Sequence, residues 1–190
     1  MSPRPLGPHS TRAAIVLAAG SDEASRALLT QPLGDGCVAE LALANVRSLV
    51  PAERIVVVVA KGDSAIRQRL GSDLTYVEQE QPRGTGDAAL LGLGFLLSDV
   101  EQVLITYADT PLVRPESLAG LFNRHRLKGA DLSALTAVVE TADPSYGRVI
   151  REDGRIVALA EGTDPVVAHQ DVVEINVGGY VATPALFLAT

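Results

Sequence analysis

Ala13-Ala14-Ile15-Val16-Leu17-Ala18-Ala19-Gly20 runs straight into Ser21-Asp22-Glu23. Unbroken apolar character over the length of a strand, ended by a glycine, marks a strand buried on both faces, as in a helix-covered parallel sheet. Ligands of open α/β sheets bind beyond the carboxyl ends of the strands, so the turn at Gly20 is the first place to look for a site. Two further runs repeat the pattern. Arg54-Ile55-Val56-Val57-Val58-Val59-Ala60 carries four consecutive valines, and Gln102-Val103-Leu104-Ile105-Thr106-Tyr107 leads into Ala108-Asp109-Thr110-Pro111.

The segments between these runs alternate with them. Ser21 to Gly36 reads as irregular, broken by Pro32, Gly34 and Gly36. Cys37 to Val50 has Val38, Leu41, Leu43, Val46 and Leu49 near a helical period, and Pro51 stops it. Gly62 to Leu70 reads as a short helix and Leu74 to Glu78 as a strand. Thr85 to Val100 reads as a helix after the Gly84-Thr85-Gly86 turn, and Arg114-Pro115-Glu116 opens another with Pro in its first turn. Strand and helix in regular alternation predict a parallel, helix-covered sheet. The texture then changes. Asp131 to Val139, Arg148 to Ile150, Arg155 to Ala160 and Val173 to Ala182 are short β segments, and Asp153-Gly154 is a hairpin turn between two of them. The second half is therefore expected to be a mixed or antiparallel extension of the same sheet. Met1 to Arg12 reads as a flexible lead-in, leaving one domain over residues 13–190.

A chain of 190 residues with 47% hydrophobic and 21% charged residues can bury a full core, and with 4% aromatics that core must rest on aliphatic side chains. A net charge of −7 and a pI near 4.9 argue against nucleic acid or an anionic membrane as partner. No apolar run approaches the ~18 residues of a membrane helix. The run Ala13 to Ala19 is short for a signal peptide and meets Asp22 and Glu23 at once, so a cytoplasmic chain is expected. The single cysteine, Cys37, reads as an inert buried thiol. His9, His125 and His169 lack zinc-ligand spacing, and Arg124-His125-Arg126 with Lys128 reads as a solvated helix face.

Three polar clusters fall at strand ends. At Ala18-Ala19-Gly20 the missing side chain of Gly20 lets backbone groups approach a base or phosphate closely, although an ordinary strand-to-loop turn has the same residues. In Gln79-Glu80-Gln81-Pro82-Arg83-Gly84-Thr85 the Gln79 amide offers donor and acceptor together, which suits a base edge, and Gly84-Thr85 presents backbone N–H groups at a helix start. A polar loop with a Thr cap is the plainer reading. In the third cluster, Asp109 closes an apolar strand, where a carboxylate is costly unless it has a use. Holding a hard divalent cation together with substrate phosphates is such a use, and Mg²⁺ fits it best.

Taken together, Gln79 through Gly86, Tyr107 through Leu112, Tyr146-Gly147-Arg148-Val149 and Glu174-Ile175-Asn176-Val177-Gly178 give the chain its resemblance to the sugar-nucleotidyltransferases. It is most similar to the uridyltransferase domain of the bifunctional N-acetylglucosamine-1-phosphate uridyltransferase/glucosamine-1-phosphate acetyltransferase, over most of residues 13–182. The resemblance implies an α/β, three-layer Rossmann-like (glycosyltransferase-A-like) nucleotidyltransferase fold with a mostly parallel sheet. It implies nucleotide contacts from Leu17, Ala18, Ala19, Gly20, Gln79, Gly84 and Thr85. Asp109 would ligate Mg²⁺, flanked by Tyr107 and Ala108, and Gly147, Glu161 and Asn176 would line an N-acetylglucosamine pocket. The implied reaction is attack of a sugar 1-phosphate on the α-phosphorus of UTP, with nucleotide and sugar phosphate as the small-molecule partners.

The chain also departs from the family. Where its members carry a Gly-Thr-Arg-Met run and then Pro-Lys, this chain has Ser21-Asp22-Glu23-Ala24-Ser25-Arg26-Ala27-Leu28-Leu29, and Arg26 is the only basic residue between Arg12 and Arg47. Arg26 is therefore the candidate for phosphate contact in a rearranged loop. The chain is expected to be truncated relative to the family beyond Thr190, without the second metal-side ligand or the acetyltransferase domain. Three readings follow: a Mg²⁺-dependent uridyltransferase, a sugar-nucleotide sensor or partner-binding subunit without turnover, and the same fold acting on another NTP. The sequence leaves open a homo-oligomer, or a partner chain that supplies the missing cations.

Overall fold

The computed structural model describes residues 11–140, 143, 146–160 and 173–188. In chain order the elements are β1 (Arg12–Ala18), α1 (Glu23–Leu29), β2 (Pro32–Leu33), β3 (Gly36–Cys37), α2 (Val38–Arg47), β4 (Ile55–Ala60), α3 (Ser64–Leu70), β5 (Thr75–Gln79), α4 (Thr85–Leu93), β6 (Gln102–Tyr107), α5 (Pro115–Lys128), β7 (Leu132–Val139), β8 (Arg148–Glu152), β9 (Arg155–Ala160) and β10 (Val173–Ala182). The chain forms two compact units, Met1–Ser133 with Tyr180–Thr190, and Ala134–Gly179.

The first unit is built on parallel strands in the order β5-β4-β1-β6. Ile15, Val56, Val58, Val103 and Ile105 are all 4% exposed or less and form one apolar cluster on these strands. The order explains where a ligand should bind. From β1 the chain first adds β4 and β5 on one side, then returns to place β6 on the other. The carboxyl ends of β1 and β6 therefore flank the point where the winding reverses, the usual position of a crevice in such sheets. In the register Leu17 lies opposite both Val58 and Tyr107, and Ala60 lies opposite Gln79. The ends of four strands thus meet at one edge.

Two expectations for this unit are corrected. Ser21 to Gly36 is not irregular: it holds the helix α1 and the small β2-β3 hairpin. The helix starts because Asp22 Oδ1 accepts a 2.7 Å hydrogen bond from Ser25 N, an N-cap that the charge of Asp22 masks when it is read only as an anion. His125 is not solvated. It is 3% exposed, with Nδ1 3.0 Å from Ser133 Oγ and Nε2 3.3 Å from Thr183 Oγ1. Its neighbours Arg124, Arg126 and Lys128 are exposed, as expected of that helix face. Smaller differences concern ends. α3 begins at Ser64 because Asp63 caps it, and α4 stops at Leu93, its last turn weakened by Gly92 and Gly94. Cys37 is buried, as expected. β1 begins at Arg12, whose guanidinium stacks 4.5 Å from the centre of the Phe122 ring. Residues 1–10 of the expected lead-in lie outside the described residues.

The second unit contains the antiparallel pair β8-β9, turned by Asp153 and Gly154, both at positive φ (48° and 77°). This is the hairpin that Asp153-Gly154 predicts. On its other side β8 meets β10, with Arg148 opposite Ile175, and Arg151 binds Glu174 through two hydrogen bonds of 2.6 and 2.8 Å.

Candidate active site

The crevice begins at the turn after β1. Gly20 sits at φ +60°, and a Cβ there would come 2.8 Å from Arg26 Cγ. Glycine is therefore required twice: for the left-handed backbone, and to let the stem of Arg26 pass. Beside this turn lies a cavity of about 370 Å³ whose wall includes Leu17, Ala19, Gly20, Gln79, Gly84, Thr85, Tyr107 and Asp109. All three sequence clusters of this unit thus converge on one space. A second cavity of about 540 Å³ shares Ala19, Gly20, Gln79 and Pro82 with the first, and adds Arg26, Lys61, Glu23, Asp63 and Glu80. Gln79, 6% exposed, is on the wall common to both.

Two of the expected nucleotide or sugar residues of the first unit line neither cavity. Ala18 and Ala108 are 1% and 0% exposed, and the Ala108 N–H donates to the Leu17 carbonyl at 2.9 Å. Their contribution is to lock the end of β1 against the end of β6, with side chains small enough to let that happen. Gly147 and Asn176 belong to the second unit, where the Asn176 N–H donates to the Gly147 carbonyl at 2.9 Å and Asn176 Oδ1 accepts from Gly178 N at 3.1 Å. Glu161 lies outside the described residues.

The polar groups of the first unit have specific partners. The hydroxyls of Thr85 and Tyr107 are 2.8 Å apart, bridging the start of α4 to the end of β6. Burial holds the Tyr107 phenol above its ordinary pKa. Gln79 Nε2 donates to Asp87 Oδ2 at 2.7 Å. Asn45 on α2 donates from Nδ2 to the carbonyls of Pro111 and Val113, both at 3.0 Å, and so pins the loop that follows Asp109. Lys61 pairs with Glu80 at 2.9 Å, whereas Arg26 is in none of the described ion pairs.

Sequence reasoning misses Asp87, Asn45 and Lys61. Lys61 directly follows β4, so the strand-end rule that selects Gly20 and Asp109 could have found it. Asp87 is within reach too, one residue beyond the Gly84-Thr85-Gly86 turn. Asn45, in the last turn of α2, carries no sequence signal of its role.

The donor set is compatible with Mg²⁺. Asp109 lines the cavity and is exposed, and partial desolvation by the surrounding protein holds its carboxyl above its ordinary pKa. A cation relieves that penalty. Among the described residues no group of three or more His, Cys, Asp or Glu side chains could hold a metal, and on the wall of the cavity of about 370 Å³ Asp109 is the one carboxylate among them. Mg²⁺ is commonly held by one or two carboxylates with water and substrate phosphates completing its shell.

Residues 14–173 match the family of MobA-like NTP transferase domains. Among curated relatives, the bifunctional protein GlmU of Pseudomonas fluorescens is 36% identical over 182 residues, covering 92% of this chain and 38% of that protein. The bifunctional protein GlmU of Brevibacillus brevis is 33% identical over 170 residues, covering 88% and 37%. The chain thus spans less than two fifths of the length of either relative. The crystal structure of mannose-1-phosphate geranyltransferase from Thermus thermophilus superposes with a TM-score of 0.73 at 22% identity, over 94% of this chain and 59% of that one. At that identity the likeness speaks to the fold, an α/β architecture around a largely parallel sheet.

Proposed function

We propose that this chain, which belongs to the family of MobA-like NTP transferase domains, transfers uridylyl from UTP to N-acetylglucosamine 1-phosphate. A phosphate oxygen of the sugar 1-phosphate attacks the α-phosphorus of UTP, a new P–O bond forms, and the bond to the bridging oxygen breaks to release pyrophosphate. The observation that carries this reading is the single cavity in which Gly20, Gln79, Thr85, Tyr107 and Asp109 meet at the carboxyl ends of three strands. Catalysis of this kind depends on positioning and on neutralising phosphate charge. Gln79 holds the base edge, Gly20 lets the backbone close on the nucleotide, and Asp109 holds Mg²⁺. When bound, the metal would supply positive charge to the phosphates. Arg26 contacts the phosphates in place of the cations absent after Gly20, and Asn45 keeps the Asp109 loop in position. Gly147, Glu161 and Asn176 bind the sugar. The chain works in the cytoplasm on small-molecule substrates.

The test is pyrophosphate release from UTP and N-acetylglucosamine 1-phosphate with and without Mg²⁺. Release is expected only with the metal, with loss in Asp109→Ala and a fall of roughly 10²–10³ in Arg26→Ala. Release no greater than that of Asp109→Ala would sink the assignment. One observation favours a second reading, a sugar-nucleotide sensor without turnover: the loop after β1 carries Asp22 and Glu23 where the resemblance leads one to expect cations. That reading predicts no pyrophosphate release together with a rise in melting temperature on adding UDP-N-acetylglucosamine.

A further inference from the structure

Gln79 ends β5, almost fully buried, and its amide nitrogen donates to Asp87 Oδ2 at 2.7 Å. Asp87 belongs to the first turn of α4, a separate element. The two ends of a primary amide are nearly the same in shape and opposite in hydrogen bonding, so packing alone does not decide which way it faces. An ionised carboxylate only accepts. Set against one end of the amide, it forces that end to be the NH₂ and leaves Oε1 and the remaining N–H for a ligand. The favourable field of a helix N-terminus explains why an acidic residue suits this turn. It does not explain why the carboxylate leaves its own helix to bind the last residue of a neighbouring strand. Gln79 also stands on the wall shared by both cavities, where a ligand would meet its orientation directly.

We propose that Asp87 is a positioning residue that sets the base preference of the site by fixing the direction of the Gln79 amide. The inference rests on the reading of Gln79 as the residue that holds the base edge. Uracil presents N3–H between two carbonyl oxygens, whereas cytosine presents a bare N3 beside an amino group. At N3 and the C4 substituent the two bases have opposite donor order, so for a base held in one place one amide direction suits one base and the flipped direction suits the other. A site whose buried polar group is matched to one edge discriminates against the other because the wrong base leaves that group unpaired.

The test uses Asp87→Asn, which keeps the shape but can donate or accept and so leaves Gln79 free to flip. Asp87→Glu keeps the acceptor-only chemistry. Dissociation constants of UDP and CDP are measured for each protein, with melting temperature as a control. The Gln79 side-chain NH₂ signal, identified by its loss in Gln79→Ala, is followed by NMR. The expected result is a preference for UDP that narrows about tenfold in Asp87→Asn, the equivalent of ~1.4 kcal/mol, and is largely kept in Asp87→Glu. The Gln79 NH₂ signal should shift in Asp87→Asn while the melting temperature holds. An Asp87→Asn protein with the wild-type UDP/CDP ratio overturns the inference and leaves the uridylyl assignment standing. A wild-type preference for CDP overturns that assignment instead, and the inference is then upheld or overturned by whether Asp87→Asn narrows the preference. Binding of neither nucleotide overturns both.

Discussion

Asp22 has two effects that pull in opposite directions. Its carboxylate caps α1 through the 2.7 Å bond from Ser25 N, and that bond is the main reason its pKa lies below the ordinary carboxylate value. The same helix carries Arg26, the basic side chain that faces the larger cavity from this loop, so the cap holds a candidate phosphate contact in place. Its charge, however, stands beside the turn where a triphosphate would approach. Asparagine separates the two effects, because its side-chain oxygen still accepts from the backbone while the charge is gone. Asp22→Asn is therefore expected to tighten UTP binding several-fold with the melting temperature nearly unchanged. Asp22→Ala, which loses the cap, should melt roughly 2–4 °C lower. Titration calorimetry and thermal unfolding of the two variants check this. An Asp22→Asn protein that binds UTP no better than wild type would show that the charge does not reach the site.

Among the elements, α4 packs directly on the sheet, against β1, β4 and β5. A Cβ at Gly92 would come 2.7 Å from Ile15 Cγ2 and 3.1 Å from Ile15 Cδ1, and Ile15 is fully buried on β1. No flexible chain end is there to give way, so the helix rests on its glycine. Gly92→Ala gains up to ~1 kcal/mol in helix propensity but overpacks the core by roughly 1–3 kcal/mol. The net expectation is destabilisation of about 1 kcal/mol, read from the midpoint of urea unfolding, and a more stable variant would mean that α4 can shift away from β1. The same contact shows why some elements are legible in the sequence and others are not. β1, β4 and β6 are buried on both faces, and burial writes itself as uninterrupted Val, Ile, Leu and Ala. The sites at their ends are legible for the same reason, since Gly20 and Asp109 interrupt those runs. α1 buries only Leu29 and so shows no apolar period, and its one signal, Asp22 as a cap, is also read as a charge. The apolar pattern overstates the length of α4 because Phe95, Leu96 and Leu97 continue it beyond Gly92 and Gly94, which set the end. Asp87 stands one residue beyond a turn that the sequence marks, but its pairing with Gln79, like that of Asn45 with the Asp109 loop, is a matter of tertiary proximity.

At the scale of the whole molecule, the chain leaves the first unit at Ser133 and returns to it at Tyr180. His125 stands within the first unit at that passage. It contacts Ser133 through one ring nitrogen and Thr183 through the other, while the Thr183 N–H donates to the Asp131 carbonyl at 3.0 Å. Both neighbours are hydroxyls, which suit a neutral ring because each can donate to or accept from the imidazole as its tautomer requires. Burial holds the His125 pKa below its ordinary 6.5, and the nearby charge of Asp131 opposes that shift only in part. The sign follows from linkage. The unfolded chain takes up this proton more readily than the folded one, so stability falls as pH drops through the ordinary value and is fully present above it. The capping bond of Asp22 adds the other familiar case, since a lowered carboxylate pKa gives stability that is lost only at more acidic pH. The two are therefore separable by pH. The melting temperature of the wild-type protein is expected to fall between about pH 7.5 and 5.5, before the carboxylates titrate. His125→Gln should start lower, through poorer packing, and lose less over the same interval. Equal losses in the two proteins would place the acid sensitivity elsewhere and leave His125 as a packing residue alone.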